Sequence, residues 1–263
     1  MRIVVCVKHV PDAQSERRFE DGKLVRGEDD VLNELDENAV EEAVTLVEKH
    51  GGEVIALTMG PADADDAVMR GLQMGADRGV LVTDEALEGV DVGVTATVLA
   101  AAITRLHAES PIDLVITGMA SLDAMTSMMP SALATCLHWP LLGLAHTLTV
   151  DGDSSYTVTI HRSIDGLDET VEASTPAVIS VTDQINEPRY PSFKTMKAAR
   201  SKPLDEWSLE DLSDLIDVDR VTGGRAIVVD SAVEHVRGGA GTIITDSGDA
   251  GARLARYLLD EVK

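Results

Sequence analysis

Apolar runs are short throughout this chain, and none approaches the roughly 20 residues that a membrane-spanning helix needs. The opening MRIVVCVKHVPD is interrupted at His9, Pro11 and Asp12. It therefore reads as a first β-strand, not as a signal peptide or a membrane anchor. Cysteine occurs only at Cys6 and Cys136, far apart and without a C-x-x-C pair, which excludes a disulfide framework and a thiolate metal site. Positive charge is scarce as well. With 22 Lys and Arg against 46 Asp and Glu, the formal net charge is −24. Such a molecule repels nucleic-acid backbones as partners and repels itself in dilute buffer. The expectation is a cytoplasmic protein of a halophile, with a salty cell interior.

Catalytic signatures are missing too. There is no G-x-x-x-x-G-K-[ST], no G-x-G-x-x-G after the first strand, no G-x-S-x-G and no H-E-x-x-H. The seven histidines are scattered. A chain without an acid–base or nucleophile set reads as a binder or carrier, not an enzyme.

What is present is enough material for one substantial core: 263 residues, 44% of them hydrophobic. Residues 2–7 (RIVVCV) read as a strand. Ala39, Val40, Ala43, Val44 and Val47 then recur at helical spacing within residues 38–50, and Gly51-Gly52 stops the pattern. Strands at 53–58, 79–82 and 112–117 alternate with helical patterns after Pro61 and at 92–107. Asp63, Asp65 and Asp66 suit the positive end of the helix after Pro61. This order predicts an α/β fold, doubly wound around a mostly parallel sheet with helices on both faces. After Pro140 the runs 147–150, 156–162 and 169–173 predict an antiparallel hairpin addition, and 176–182 a buried strand returning to the sheet. From Asn186 the pattern weakens, with no sheet-forming run expected before 226–229, a glycine-rich loop at 238–241 and a terminal helix at 249–262. The predicted divisions are an α/β domain at 1–183, a loop at 184–204 and an extended C-terminal arm at 205–263.

Ligands of an open parallel sheet sit beyond the carboxyl ends of its strands. Here those ends are Cys6 to Lys8, Thr58 to Pro61, and the stretch from Gly118 through Asp123 to Ser127. Thr126 and Ser127 are expected to open a helix, where free N–H groups and hydroxyls suit a nucleotide phosphate. A plainer alternative has Asp123 or Thr126 simply capping that helix. A second feature is the segment 186–202, which gathers Arg189, Lys194, Lys197, Arg200 and Lys202 beside Tyr190 and Phe193. These bases either dock a partner or offset acids within the fold.

Five stretches carry a resemblance: NELDENAVEEAV (33–44), GPADADDAVMRGLQMGADRGV (60–80), residues 118–140, IHRSIDGLDETVEASTPAVISV (160–181) and NEPRYPSFKTMKAARSK (186–202). Together they resemble the electron transfer flavoprotein β subunit, of the adenine nucleotide alpha hydrolase-like fold, in register from Met1 to about Leu204. The resemblance implies a heterodimer with an α subunit that holds most of the contacts to a redox-active FAD. It also implies AMP between this chain's strand ends, or in bifurcating relatives a second FAD. The positions implied for the nucleotide are Cys6, Asn33, Glu34, Leu35, Asp36, Met59, Gly118 and the loop and helix start Asp123, Ala124, Met125, Thr126, Ser127, Met128, Met129, Pro130, Ser131 and Ala134. Relatives commonly read D-G-D-T-G-Q-V-G-P where this chain reads DAMTSMMPS, and Leu167 replaces a glycine of their D-G-G element.

The same resemblance makes the segment after N-E-P-R-Y a recognition loop for flavin dehydrogenases. Phe193 is its anchor, Tyr190 and Met196 are alternatives, and Lys197 and Arg200 are flanking charges. Electrons would pass from dehydrogenases such as those oxidising acyl-CoA, through the flavin, to a membrane quinone reductase. The competing class is an adenine-nucleotide-hydrolysing enzyme or ATP-using ligase on a similar sheet. Its usual S-G-G-x-D-S loop is replaced here by Lys8-His9-Val10-Pro11-Asp12.

Overall fold

A computed structural model describes residues 1–16, 18–20, 23–152, 155–223, 226, 227, 229–231, 243 and 245–260. Strand β1 (Arg2–Cys6) is followed by β2 (His9–Pro11), which leads into an excursion holding β3 (Phe19–Glu20) and β4 (Lys23–Leu24). The excursion returns along β5 (Asp30–Leu32), antiparallel to β2. Helix α1 (Glu34–His50) starts a turn earlier than its apolar period predicts, because residues 34–37 are mostly acidic. Glu34, Asp36 and Glu37 in that turn, and Lys49 and His50 in the last, complement the helix dipole.

The predicted alternation continues through β6 (Glu53–Met59), α2 (Asp65–Met74), β7 (Arg78–Val82), α3 (Val92–Glu109) and β8 (Leu114–Gly118). Helix α3 begins where the Asp91 carboxylate accepts from the Gly93 and Val94 N–H groups, both at 3.0 Å. After α4 (Met129–Leu137) come β9 (Leu141–Ala145) and the antiparallel run β10 (Thr147–Asp151), β11 (Thr157–Ile164) and β12 (Leu167–Ser174). Strand β13 (Ala177–Val181) then re-enters the main sheet. The last elements are α5 (Phe193–Ala199), β14 (Leu204–Trp207), α6 (Val218–Gly223) and α7 (Ala250–Asp260).

The main sheet has seven strands in the order β14-β7-β6-β1-β8-β13-β9, all parallel. Its strands are buried on both faces: Val54 and Ala56 of β6 join the core under α1 and α2, while Ile55 and Leu57 join the core under α3 and α4. The chain runs outward from β1 to β6 and β7, then returns to β8 on the other side of β1. That reversal puts the crevice expected of such sheets beyond the ends of β1 and β8.

Two edge strands escape the sequence pattern. Strand β14 reads Leu-Asp-Glu-Trp, half acidic, so nothing in its alternation marks it; Arg78 Nε pairs with Asp205 Oδ2 at 2.7 Å across the β7 edge. Residues 205–207, expected in the arm, therefore belong to the sheet. Strand β9 is not among the strands read from the sequence, and it is held through a bulge where the Leu144 N–H donates to Ser180 Oγ at 2.8 Å. Residues 226, 227 and 229 form no strand. The predicted glycine loop at 238–241 and the end of the terminal helix at 261–262 lie outside the described residues. Helix α7 buries none of its residues, and Leu254, Tyr257, Leu258 and Leu259 are each at least half exposed.

Candidate functional site

Strand β8 ends at Gly118, directly against the first turn of α1. A Cβ there would stand 2.5 Å from Asp36 Oδ1 and 2.6 Å from the Leu35 carbonyl oxygen. Only glycine lets the helix close on the strand end. Asp36, itself buried, accepts from the Lys8 N–H at 2.9 Å and from the Gly118 N–H. It thus ties the ends of β1 and β8 to one helix. Burial pushes its pKa up to about 7, against the opposing pull of Asn33, Lys8 and Gly118. Cys6, at the end of β1, is pushed up to about 12 by burial and by Asp36, which makes it an inert thiol.

Asn33 stands at the cap position of α1 yet caps nothing. Its buried amide is committed to the crevice loop instead: Nδ2 donates to the Ala120 carbonyl at 2.9 Å and Oδ1 accepts from the Leu122 N–H at 3.0 Å. A helix-capping residue type gives up its local role to hold a loop 87 residues away.

Asp123 is the electrostatic centre. Its side chain is 2% exposed and accepts from Lys8 Nζ at 3.0 and 2.8 Å and from Arg26 Nη2. Burial would raise its pKa, but the Lys8 charge and the bonds from Arg26, Lys8 and Ser121 hold it well below the usual carboxylate range. One carboxylate with two cations leaves one formal positive charge at the crevice, and both cation side chains are 42% exposed.

The next residues correct an expectation. Thr126 and Ser127 do not open a helix; α4 starts at Met129, with Met128 at its cap position and no side-chain cap. Neither Asp123 nor Thr126 caps it. Pro130 sits in the first turn, where the N–H it lacks would have no partner within the helix, so it suits a start at Met129. Met125 and Ser127 take left-handed φ values of 50° and 53°, which cost a non-glycine residue about 1–2 kcal/mol each. Among the described residues, the N–H groups of Thr126 and Ser127 meet no backbone or side-chain acceptor.

The structure gathers Cys6, Asn33, Leu35, Asp36, Gly118 and Asp123 around the crevice. Ala124, Met125, Thr126, Ser127 and Met128 form its exposed lip. Met59 is half-buried at the end of β6 and packs with Met129 toward the α3 core. Glu34 and Ser131 are exposed, whereas Pro130 and Ala134 are on the buried side of α4. Thr58 Oγ1, one residue before Met59, is buried without a hydrogen-bond partner. Lys8, Arg26 and Ser121 were not among the predicted site residues. Lys8 could have been found as the cation ending β1. Arg26 could not, because it lies 97 residues from Asp123 in an excursion with no periodicity.

The segment 186–202 divides its basic residues. Arg189 is spent on α1, with Nε and Nη2 donating to Glu41 at 2.7 and 3.0 Å and Nη1 and Nη2 donating to Glu48 at 2.7 and 3.1 Å. Lys202 Nζ donates to the Leu72 and Ala76 carbonyls where α2 ends. Lys194, Lys197 and Arg200 are exposed on or beside α5. Tyr190, Phe193 and Met196 stand out with them at 92%, 81% and 40% exposure. Two of these bases thus offset acids or carbonyls within the fold, and three flank an exposed apolar face.

A family model described as "Electron transfer flavoprotein domain" matches residues 21–212. The electron transfer flavoprotein subunit beta of Mycobacterium leprae is 37% identical over 98% of this chain and 97% of its own length. The protein of the same name from Clostridium acetobutylicum is 33% identical over 99% of each. The caffeyl-CoA reductase-Etf complex subunit CarD of Acetobacterium woodii is 32% identical over 81% of this chain and 80% of its own. No helix among the described residues is long and apolar enough to cross a membrane. The chain belongs to the electron transfer flavoprotein family, alongside its β subunits.

Proposed function

We infer that this chain is the β half of a heterodimeric electron carrier. It pairs with an α subunit that holds most of the FAD, binds AMP in its own crevice, and presents residues 190–200 to electron donors. Flavin dehydrogenases, such as those acting on acyl-CoA, are the donors, and a membrane quinone reductase is the acceptor. The observation that carries the reading is the surplus positive charge of Lys8, Arg26 and Asp123 at the switch point of a chain whose net charge is −24.

The residues fit an anionic nucleotide. The N–H groups near Thr126 and Ser127 would receive the phosphate, with Lys8 and Arg26 supplying charge. The orphaned Thr58 hydroxyl would gain a polar partner at the other strand end. The flavin supplies the redox chemistry when bound. The chain's own work is to hold the nucleotide, shape the crevice through Asn33 and Asp36, and dock the donor. It has no catalytic set of its own, and it works in the cytoplasm at high salt.

The test is to produce the chain with its α subunit in high salt, denature the purified complex and quantify the released nucleotides. One FAD and one AMP per heterodimer is the expected result. Two FAD would favour the bifurcating reading, which the likeness to the Acetobacterium woodii complex subunit keeps in view. ATP turnover by the chain alone would favour the hydrolase. Absence of flavin and of an α partner would overturn the carrier reading.

A further inference from the structure

Residues 186–192 have neither a helical nor a sheet ladder to hold them, and Pro188 and Pro191 remove two backbone donors. An open cleft of about 480 Å³ adjoins them, lined by Val44, Val47 and Met74 of α1 and α2 and by Arg189, Tyr190 and Ser192. Along such a cleft the segment lacks close packing on one side, so hydrogen bonds and ion pairs must fix its position.

What fixes it comes from the side, through α1. Asn186 Nδ2 donates to the Asn38 carbonyl and to Glu42, both at 3.1 Å, and Asn38 Nδ2 donates back to the Asn186 carbonyl at 3.0 Å. The Arg189 N–H also donates to Glu41 Oε2 at 3.0 Å, so backbone and guanidinium converge on one carboxylate. Two-pronged contact to both Glu41 and Glu48 restricts rotation as well as distance. Phe193 begins α5 only four residues later.

We propose that Arg189 is a positioning residue for electron-donor docking: clamped between Glu41 and Glu48 of α1, it holds the Tyr190, Phe193 and Met196 face in one orientation. The proposal rests on the docking role given to this face above. Its consequence is specific. Without the clamp the face remains present and exposed, but only a fraction of molecules carry it in the competent orientation, and apparent affinity falls by that fraction. Electron transfer within a formed complex is unchanged.

The experiment uses the purified heterodimer with three substitutions, R189A, R189K and F193A. Reduction by an acyl-CoA dehydrogenase is followed together with hydrogen exchange across residues 190–199. R189A is expected to raise the KM for the heterodimer about tenfold with kcat unchanged, and to speed exchange in the segment, while flavin content stays at the wild-type level. R189K keeps the charge but loses the fork, so it should recover part of both effects, to within about threefold of wild type. Wild-type KM and wild-type exchange in R189A, with F193A impaired, would overturn the proposal and leave docking intact. An unimpaired F193A would instead remove the docking reading, and the exchange data would still decide whether Arg189 orders the segment. A fall in kcat at unchanged KM would also overturn the proposal, since it would place the effect after docking.

Discussion

Two charge clusters in this molecule are inversions of one another. At the crevice one buried carboxylate, Asp123, holds two cations, Lys8 and Arg26; in the segment before α5 one guanidinium, Arg189, holds two carboxylates, Glu41 and Glu48. The first carries a formal +1 and the second −1. In so acidic a chain the sign of the surplus separates their work. The crevice keeps unspent positive charge on half-exposed side chains and so offers an anion a gain on arrival. The Arg189 cluster has no cation left to offer, and its effect falls on the backbone that it orders.

The largest test inverts the first cluster. Lys8→Glu changes its formal sum from +1 to −1, and at about 4 Å and an effective dielectric near 20 each charge contact counts for about 4 kcal/mol. AMP affinity of the heterodimer should fall at least about a hundredfold, leaving purified protein nearly free of it while FAD is retained. Nucleotide quantitation after denaturation reads this directly. AMP kept at one per heterodimer would end the comparison, because the surplus charge would then have no role in binding.

A second test asks whether the crevice is also a site of strain, which the Arg189 cluster is not. Asp36 has its pKa raised to about 7 by burial, whereas Arg189 holds Glu48 below its usual range. Below pH 3.8 Asp36 is protonated in both folded and unfolded chains. As pH rises toward 7 the unfolded chain releases that proton and the folded one keeps it, so stability is lost with rising pH. The slope is up to about 1.4 kcal/mol per pH unit for one proton. Asp36→Asn should remove this component. Thermal midpoints of wild type and variant between pH 4.5 and 7.5 should therefore differ with a slope, the variant gaining relative stability as pH rises. A constant difference would mean that Asp36 is ionised in the fold throughout.

Both clusters show what a sequence makes legible. The parallel sheet could be read because its strands, buried on both faces, are uninterrupted apolar runs, and because α1 to α3 repeat at helical spacing. Strand β14 could not: an edge strand needs little apolar surface, and Leu-Asp-Glu-Trp is recruited by Arg78 and the ladder of β7. The crevice was legible at the strand ends, as with Cys6 and Gly118, whereas Asn33 and Asp36, at the start of α1, came only through the family resemblance. The helix start was misplaced by three residues because hydroxyl side chains at 126 and 127 imitate a cap, while Met128 occupies the position without one. Arg26 and the Arg189 clamp depend on contacts between residues 97 to 148 positions apart, a distance at which no local pattern operates.

The smallest effect belongs to the outer half of the second cluster. Glu41 has a side chain 12% exposed and receives Arg189 through both its guanidinium and its N–H, whereas Glu48 is 59% exposed. An exposed pair is weakly coupled and screened by salt. Glu48→Gln should therefore raise the dehydrogenase KM by less than about threefold in dilute buffer, and by nothing measurable in molar salt. Glu41→Gln should approach the R189A effect at both salt concentrations, because the Glu41 contact is shielded from solvent. Arg189 pulls the pKa of both Glu41 and Glu48 below the usual range, so the clamp is present at neutral pH and is lost as pH falls through the carboxylate range. Equal effects for the two glutamates, or a Glu48→Gln effect that survives molar salt, would show that the clamp is held by its exposed arm and that burial does not rank its contacts.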